Sequence, residues 1–486
     1  MDQTNLRQTW LCIALVVLAG LIARALAFAP FDISHADELM QYLEQGSRLA
    51  TGHGIVPWEY RYGARNELIP QMLALPFWLG EKFAPGTLAG MLAARWFYLA
   101  LTLLALPAAW QLGALTSRAH ALAALFIAAV WYENVLFSTL LLSEVLGAAL
   151  IAMAAALLLA DAPSRAALRW AGLLLGLGVI LRLQYAPFAA VLALARLRTD
   201  WRMWGQVLLG GLAALAIGAV SDLIAGQVPL RWIWVNLSYN MIQGRAARFG
   251  VAGPLEYVRL LLVHLGPAAL LILTGAALSP ARYRPLVLAL IANVLFHSLI
   301  AHKEYRFIWV STWSITVLAA IASVSLVQWL AARRGQSMTP WMLAALGLMW
   351  LAASFAAERE SGGARVLRGG APIPLAASDA ARDASTCGIA LPDQWRAHVV
   401  PAMLPRDVPL YIRPRGVIHQ IDPVPAAIIA SANVLVFSSR PKGAEAYAER
   451  SCRANSVFKA CVYVRPGPCS ADPASTYQAA IEREDL

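Results

Sequence analysis

Between residues 10 and 357 the chain returns repeatedly to apolar stretches that approach the ~20 residues needed to cross a lipid bilayer. A backbone in hydrocarbon must satisfy its own hydrogen bonds, so such stretches become helices. About eleven can be read, near 10–29, 88–112, 119–137, 139–160, 168–183, 185–197, 204–225, 255–278, 285–301, 306–331 and 340–357. Composition agrees, since 59% of the 486 residues are hydrophobic and only 14% are charged. The expected fold class is a polytopic α-helical membrane protein.

Orientation follows from the loops. With the N-terminus inside, the connections carrying Arg118, Arg165 with Arg169, Arg196 with Arg198 and Arg202, Arg282 with Arg284, and Arg333 with Arg334 all fall in the cytoplasm. That is the bias expected of cytoplasmic loops, and it accounts for the net charge of +11 without invoking nucleic acid as a partner. The first stretch is followed by Arg24 and has no small-x-small site, so it is expected to stay as an anchor and not to be cleaved as a signal peptide.

This topology places residues 30–87, 226–254 and everything after about 358 outside. Cysteine usage fits, because Cys387, Cys452, Cys461 and Cys469 lie in the tail and only Cys12 lies in a span. Four cysteines in an exported segment allow two disulfides, in three possible pairings. No CxxC spacing suggests a metal. Past Glu358 the composition shifts to Gly, Pro, Asp and Arg, and short apolar runs at 408–412, 434–437 and 460–464 read as strands. The expected organisation is a membrane module over 1–357, a linker over 358–374, and a small α/β or β-rich domain over 375–486.

Charges beside apolar helices usually mark function. Two dense clusters stand out, Ser34-His35-Ala36-Asp37-Glu38 and His302-Lys303-Glu304-Tyr305-Arg306-Phe307. The first opens an external loop holding seven acidic side chains, four basic ones and two histidines, enough to pair the neighbours of a buried acid or base. Asp37, Glu38, Gln41 and Glu44 have helical spacing. In the second cluster His302 and Arg306 are four residues apart and would share one helix face, with Lys303 and Phe307 on the next. Basic residues on the external side run against the positive-inside bias, which favours function over anchoring.

His302-Lys303-Glu304-Tyr305-Arg306-Phe307 resembles the HKExRF signature of a mannosyltransferase family within the glycosyltransferase C superfamily, whose members build lipid-linked N-glycan precursors and GPI anchors from dolichyl-phosphate mannose. His35-Ala36-Asp37-Glu38 resembles that family's HPDE, with alanine in place of proline. Trp58-Glu59-Tyr60-Arg61 resembles its WEYR, and Arg65-Asn66 its following Arg-Ser. Asn236, Tyr239, Asn240 and Phe249-Gly250 resemble its N-x-x-YN…YG stretch more loosely. The resemblance covers about residues 10–335.

The resemblance implies inverting transfer of a hexose, mannose being the first expectation, from a polyprenyl-phosphate sugar to an acceptor hydroxyl on the external face. Chemistry assigns the parts. The attacking hydroxyl needs a base, for which Asp37 is the first candidate and Glu38 the alternative, or else the residue that orients the acceptor. The departing phosphate needs cations, which His302, Lys303 and Arg306 can supply. His35, Glu59 and Glu304 belong to the same motifs. Arg61 and Arg65 can contact phosphate or, in preference, hold the loop carboxylates. Trp58 and Tyr60 can stack on sugar faces, and Asn236 and Asn240 can bond sugar hydroxyls. Glu144 and Arg182 are expected to form a buried pair; Gln184-Tyr185 departs from the proline and threonine that the family carries there. No DxD motif is present, and no metal or cofactor is expected.

The expected partners are a polyprenyl-phosphate sugar donor, membrane lipids, and a glycolipid, lipid-linked glycan or protein acceptor. Arginine-rich, lysine-poor usage with abundant Ala and Leu points to a high-GC bacterium, hence an inner membrane and undecaprenyl phosphate or a related carrier. The alternative function is transport of a lipid-linked sugar, which would spread charges through the depth of several helices.

Overall fold

The computed structural model describes residues 3–33, 35–363, 370–412 and 423–484, and it is helical through most of the first 361. Among the described residues, six helices are long and apolar enough to cross a membrane: Arg7–Ala27, Ala89–Ala114, Trp201–Ile224, Glu256–Ala277, Tyr305–Arg333 and Pro340–Ser361. A bent pair, Arg118–Val130 with Tyr132–Ser138, makes a seventh if counted as one span. The other expected stretches are helical but shorter. Ser143–Leu158 has 16 residues, Arg165–Leu181 has 17, Ala186–Leu197 has 12 and Arg284–Ser298 has 15. At 1.5 Å per residue a 16-residue helix reaches about 24 Å, short of the roughly 30 Å hydrocarbon layer. Ser143–Leu158 and the first half of Trp309–Arg333 are instead buried on nearly every side, as helices that are apolar all round should be.

The chain forms two compact units. One comprises Met1–Phe28 with Leu99–Gly363, the other Ala29–Tyr98 with Ala364–Leu486. In the first unit close helix packing rests on small residues. A Cβ at Gly172 would come within 2.0 Å of the Val207 carbonyl oxygen, and one at Gly210 within 2.0 Å of the Arg169 oxygen. Backbones at that distance replace the hydrophobic drive that lipid cannot supply. The outer face of Trp201–Ile224 keeps Leu212, Leu223 and Ile224 exposed for the acyl chains.

The bent pair shows how polar backbone is handled inside the apolar unit. At Trp131 the chain turns extended, with φ −61° and ψ 128°, and the carbonyls of the preceding turn lose their helical donors. The Arg24 guanidinium meets them, donating to the oxygens of Ala129 at 2.8 Å and Ala128 at 2.9 Å, and it also reaches the Asn134 oxygen past the bend at 3.3 Å. Asn134 itself donates to the Ile127 oxygen at 3.0 Å.

The second unit carries a five-stranded mixed sheet built from β1 (Ile389–Ala390), β2 (Leu410–Tyr411), β3 (Val434–Phe437), β4 (Ala448–Ala454) and β5 (Lys459–Val464). The order is β2-β1-β3-β5-β4. Strands β1, β2 and β3 run parallel, while β5 pairs antiparallel with both β3 and β4. Period-two alternation divides the interior. Val434, Val436 and Val462 point into one cluster, and Leu435, Phe437 and Tyr463 into another. Among the three expected strands, 408–412 shortens to Leu410–Tyr411 and the others stand within one residue.

The units do not follow chain order. Residues 29–98 join 364–486 because Met40 and Ile55 sit in the same apolar cluster as Ile389, Val434, Val462 and Tyr477. Part of the expected linker is structured too: one helix runs on to Ser361 and another begins at Pro372, with Ile373 buried; residues 364–369 lie outside the described ones. Of the three pairings open to the tail cysteines, the structure takes Cys387–Cys469 and Cys452–Cys461. Cys452 and Cys461 face each other across β4 and β5.

The two bridges are predicted to differ in weight. Opening the Cys387–Cys469 bridge, across 82 residues, should cost roughly 4–5 kcal/mol, and opening Cys452–Cys461, across 9, roughly 2–3 kcal/mol, by loop entropy. Urea-dependent proteolysis of the two double-Ser variants measures this; equal midpoints would contradict it.

Candidate active site

The first charged loop is held together inside the second unit. Asp37 precedes the tight helical turn Glu38–Leu43, which continues directly into Glu44–Thr51. The two neighbouring carboxylates have separate surroundings. Asp37 is half-exposed, whereas Glu38 has no exposed surface and pairs with Arg95 at 3.2 Å, itself 3% exposed. An arginine in an apolar stretch was the signal for that partner, and the sequence reading passed over it. Glu59 is also buried. Gln41 donates to its Oε1 at 2.9 Å, and burial raises its carboxyl against the pull of Arg65, with Asp37 adding to the rise.

Arg65 holds this arrangement from the other side. Its Nη1 donates to the Tyr42 hydroxyl at 3.1 Å. Burial opposes its charge, but Tyr42, Glu59 and Asp37 together keep its pKa above the ordinary value. Arg61 reaches back to the helix Tyr477–Glu484, donating to the Ile481 oxygen at 3.1 Å. Tyr60 is 6% exposed and its hydroxyl donates to the Gln41 oxygen at 2.5 Å, whereas Trp58 and His35 are half-exposed. Glu44 went unassigned in the sequence. Burial pushes its carboxyl up to about 7, opposed by the Ile55 N–H at 2.6 Å and by Arg48.

The second cluster lies in the first unit, and its backbone differs from the helix expected. Residues 302–304 are not helical, Glu304 is extended at φ −131° and ψ 143°, and only Tyr305–Ile308 turns, as a 3₁₀ segment. His302 and Arg306 therefore do not share a helix face, nor do Lys303 and Phe307. The Glu304 carboxylate joins them instead: His302 Nε2 lies 2.9 Å from Oε1, and Arg306 Nε donates to Oε2 at 2.6 Å. Burial disfavours that charge, yet the His302 and Arg306 hydrogen bonds hold the Glu304 carboxyl well below the usual carboxylate range.

Arg306 continues inward. Its Nη1 is 3.2 Å from Glu144, and Arg182 reaches the same Glu144 oxygen at 3.3 Å. The expected Glu144–Arg182 pair is thus part of a chain running Arg182, Glu144, Arg306, Glu304, His302. Both guanidiniums also lie over the Phe307 ring, at 4.9 and 5.2 Å. Lys303 donates to the oxygens of Ala252 at 3.1 Å and Ile300 at 2.5 Å. Among the described residues, Arg182, Lys303 and Arg306 thus stand with the carboxylates of Glu144 and Glu304, and Glu256, itself paired with Arg259, also acts on Lys303, which leaves one positive charge over. The 226–254 segment meets this turn through its backbone, Gly250 offering its oxygen to His302 Nδ1 at 3.2 Å. Asn236 and Asn240 are half-buried on Arg231–Leu237 and the following turn Ser238–Ile242. A second pair also went unread: the half-buried His264 lies 3.1 Å from the buried Glu133 and stacks on Tyr305 at 3.7 Å.

Glu144 is the fully buried member that two guanidiniums share. Removing one side of such a pair strands the other charges, at roughly 3–5 kcal/mol. Glu144→Ala is predicted to lower the melting temperature of the detergent-solubilised protein sharply, while Lys303→Ala, which leaves only carbonyl contacts unmet, should leave it near wild type.

Over residues 15–367 the chain matches the Alg9-like mannosyltransferase family. The Dol-P-Man:Man(7)GlcNAc(2)-PP-Dol alpha-1,6-mannosyltransferase of Drosophila melanogaster is 30% identical over 140 residues, a match spanning 27% of this chain and 20% of that protein. The chain therefore aligns with about a fifth of the length of this curated relative. Among solved structures, ArnT from Cupriavidus metallidurans bound to undecaprenyl phosphate superposes with a TM-score of 0.53 at 14% identity, covering 82% of this chain and 85% of that one. The archaeal oligosaccharyltransferase AglB from Archaeoglobus fulgidus, in complex with an inhibitory peptide and a dolichol-phosphate, gives 0.52 at 14% identity, covering 83% and 64%. At those identities the likeness is one of fold, the glycosyltransferase C architecture in the membrane. The family match runs through most of the length and takes in both charged clusters, and the chain belongs to the Alg9-like mannosyltransferase family.

Proposed function

We propose that this protein is an inverting hexosyltransferase that moves a sugar, mannose in the first instance, from a polyprenyl-phosphate carrier to an acceptor hydroxyl. The observation that carries the proposal is the 302–307 turn, where Glu304 and the buried Glu144 fix the guanidiniums in place and one positive charge is left over. Such a site suits a monoanionic or dianionic phosphate that gains charge as its sugar departs. Lys303 and Arg306 take the phosphate oxygens, and His302, its two ring nitrogens engaged by the Gly250 oxygen and Glu304, holds the turn on which they stand.

Asp37 takes the acceptor's proton. Its carboxylate keeps access to solvent, whereas Glu38 is committed to Arg95 and serves the fold. Attack on the anomeric carbon from the side opposite the phosphate inverts that centre: the acceptor oxygen–carbon bond forms, the carbon–phosphate oxygen bond breaks, and the proton ends on Asp37. Arg65 and Glu59 hold the loop around this carboxylate, and Trp58, which is half-exposed, is the motif's candidate for stacking on a sugar. The basic loops and the cysteine pairs support an external, periplasmic placement of both clusters in a bacterial inner membrane. Undecaprenyl phosphate is then the expected carrier, and a glycolipid, lipid-linked glycan or protein the acceptor.

The test is transfer of label from radiolabelled polyprenyl-phosphate mannose into a native-membrane lipid extract by detergent-purified protein. Asp37→Asn is expected to lower kcat about 10³-fold with donor KM unchanged, the range for loss of a general base. Lys303→Met should raise donor KM about tenfold or more, as removal of a charged hydrogen bond does. Near-normal rates in Asp37→Asn would overturn the base assignment. Absence of transfer with mannose, glucose, galactose and arabinose donors alike would overturn the enzyme.

A further inference from the structure

His398 comes from the C-terminal part of the second unit, yet it stands beside the loop that carries Asp37. It lies between the helix Gln394–Ala397 and the 3₁₀ turn Pro401–Met403, and that turn packs against both Glu38–Leu43 and Glu44–Thr51. Its Nδ1 is hydrogen bonded to the hydroxyl of Tyr477, which is completely buried at the head of the helix Tyr477–Glu484. The same hydroxyl sits 3.8 Å from Met40 Sδ, one turn beyond Asp37. One ring nitrogen is therefore fixed to a phenol inside the shared core, which sets the direction of the other.

The charges around this imidazole are those of Asp37 and Asp393, with Glu44 acting on Tyr477, and Glu59 and Arg65 acting on Asp37. Enclosure pushes His398 down to about 4 despite the two carboxylates, so at neutral pH the ring is uncharged. It cannot neutralise Asp37, but in the tautomer in which the Tyr477 hydroxyl donates to Nδ1 the Nε2–H can orient a carboxylate and favour its ionised form.

We propose that His398 is a positioning residue for Asp37, so that the C-terminal domain completes the base of the transfer reaction. This rests on Asp37 being the base. The arrangement parallels the general logic of a base oriented by a second group, here supplied from a segment some 360 residues further along the chain.

The experiment uses the full chain in detergent, polyprenyl-phosphate mannose as donor and the native lipid extract as acceptor, with rates measured across pH 5–9. His398→Ala is expected to lower kcat about tenfold with donor KM within twofold, and to move the acidic limb of the profile to higher pH, because Asp37 loses a donor to its charged form. His398→Gln, which retains an N–H, should recover most of kcat. Tyr477→Phe, which frees the ring but keeps the packing, should fall between. Added to Asp37→Asn, His398→Ala should cause no further loss of the residual rate, since coupled residues are not additive.

A folded His398→Ala with wild-type kcat and an unmoved limb overturns the inference, and so does a loss that adds to that of Asp37→Asn. A loss accompanied only by a lower melting temperature, unrescued by Gln, also overturns it by showing a structural role. If Asp37→Asn itself keeps near-normal turnover, the base reading falls and this inference with it. If only Asp37→Asn is impaired, the base reading stands and His398 is excluded.

Discussion

A guanidinium inside an apolar helix bundle needs acceptors; Arg24 finds carbonyls, and Arg306 has two carboxylates. Glu304 takes its Nε and Glu144 its Nη1, while Arg182 shares Glu144 from the opposite side. Arg182, Glu144 and Arg306 are buried at the cost of hydration, and each is tolerated only because the next one compensates it. The backbone follows from the same demand. For its carboxylate to reach both His302 and Arg306, Glu304 leaves the helix, and the chain re-enters it only at Trp309. The row itself balances two guanidiniums against two carboxylates, and Lys303 stands beside it on carbonyl oxygens alone.

The second unit solves a different problem. A short polar loop has little core of its own, and residues 29–98 borrow one from the C-terminal sheet through Met40, Ile55 and the Arg61–Ile481 contact. Two disulfides then restrict the tail in which that core lies. Precise placement of Asp37 therefore depends on packing in a part of the chain that carries none of the family motifs. The family match itself ends at residue 367.

Much of this was legible in the sequence. Apolar length gave the helical segments, alternation gave the strand at 434–437, and motif residues marked both charged loops. What the sequence withheld was tertiary. Spacing of four between His302 and Arg306 suggested a helix face, but a carboxylate two residues away from each overrode local geometry. Glu38 looked as fit for chemistry as Asp37 until Arg95 was seen against it. Tyr60 reads as a sugar-stacking aromatic in a motif, and it is packed inside with its hydroxyl on Gln41. Four cysteines permit three pairings, and only the sheet selects one. His398 carries no local pattern at all; only the fold brings it near the first loop.

The interleaving of the two units also imposes an order of events on synthesis. Residues 29–98 emerge early, but the cluster that buries Met40 and Ile55 draws on residues from 373 to 481, and the stretch 99–363 is made in between. At about 5–20 residues per second that interval is on the order of tens of seconds. Throughout it the membrane bundle can assemble while the segment bearing Asp37 lacks its core. A nascent chain at that stage has the row from Arg182 to His302 in place while the loop around Asp37 is unsettled, so the two charged clusters are completed at different times.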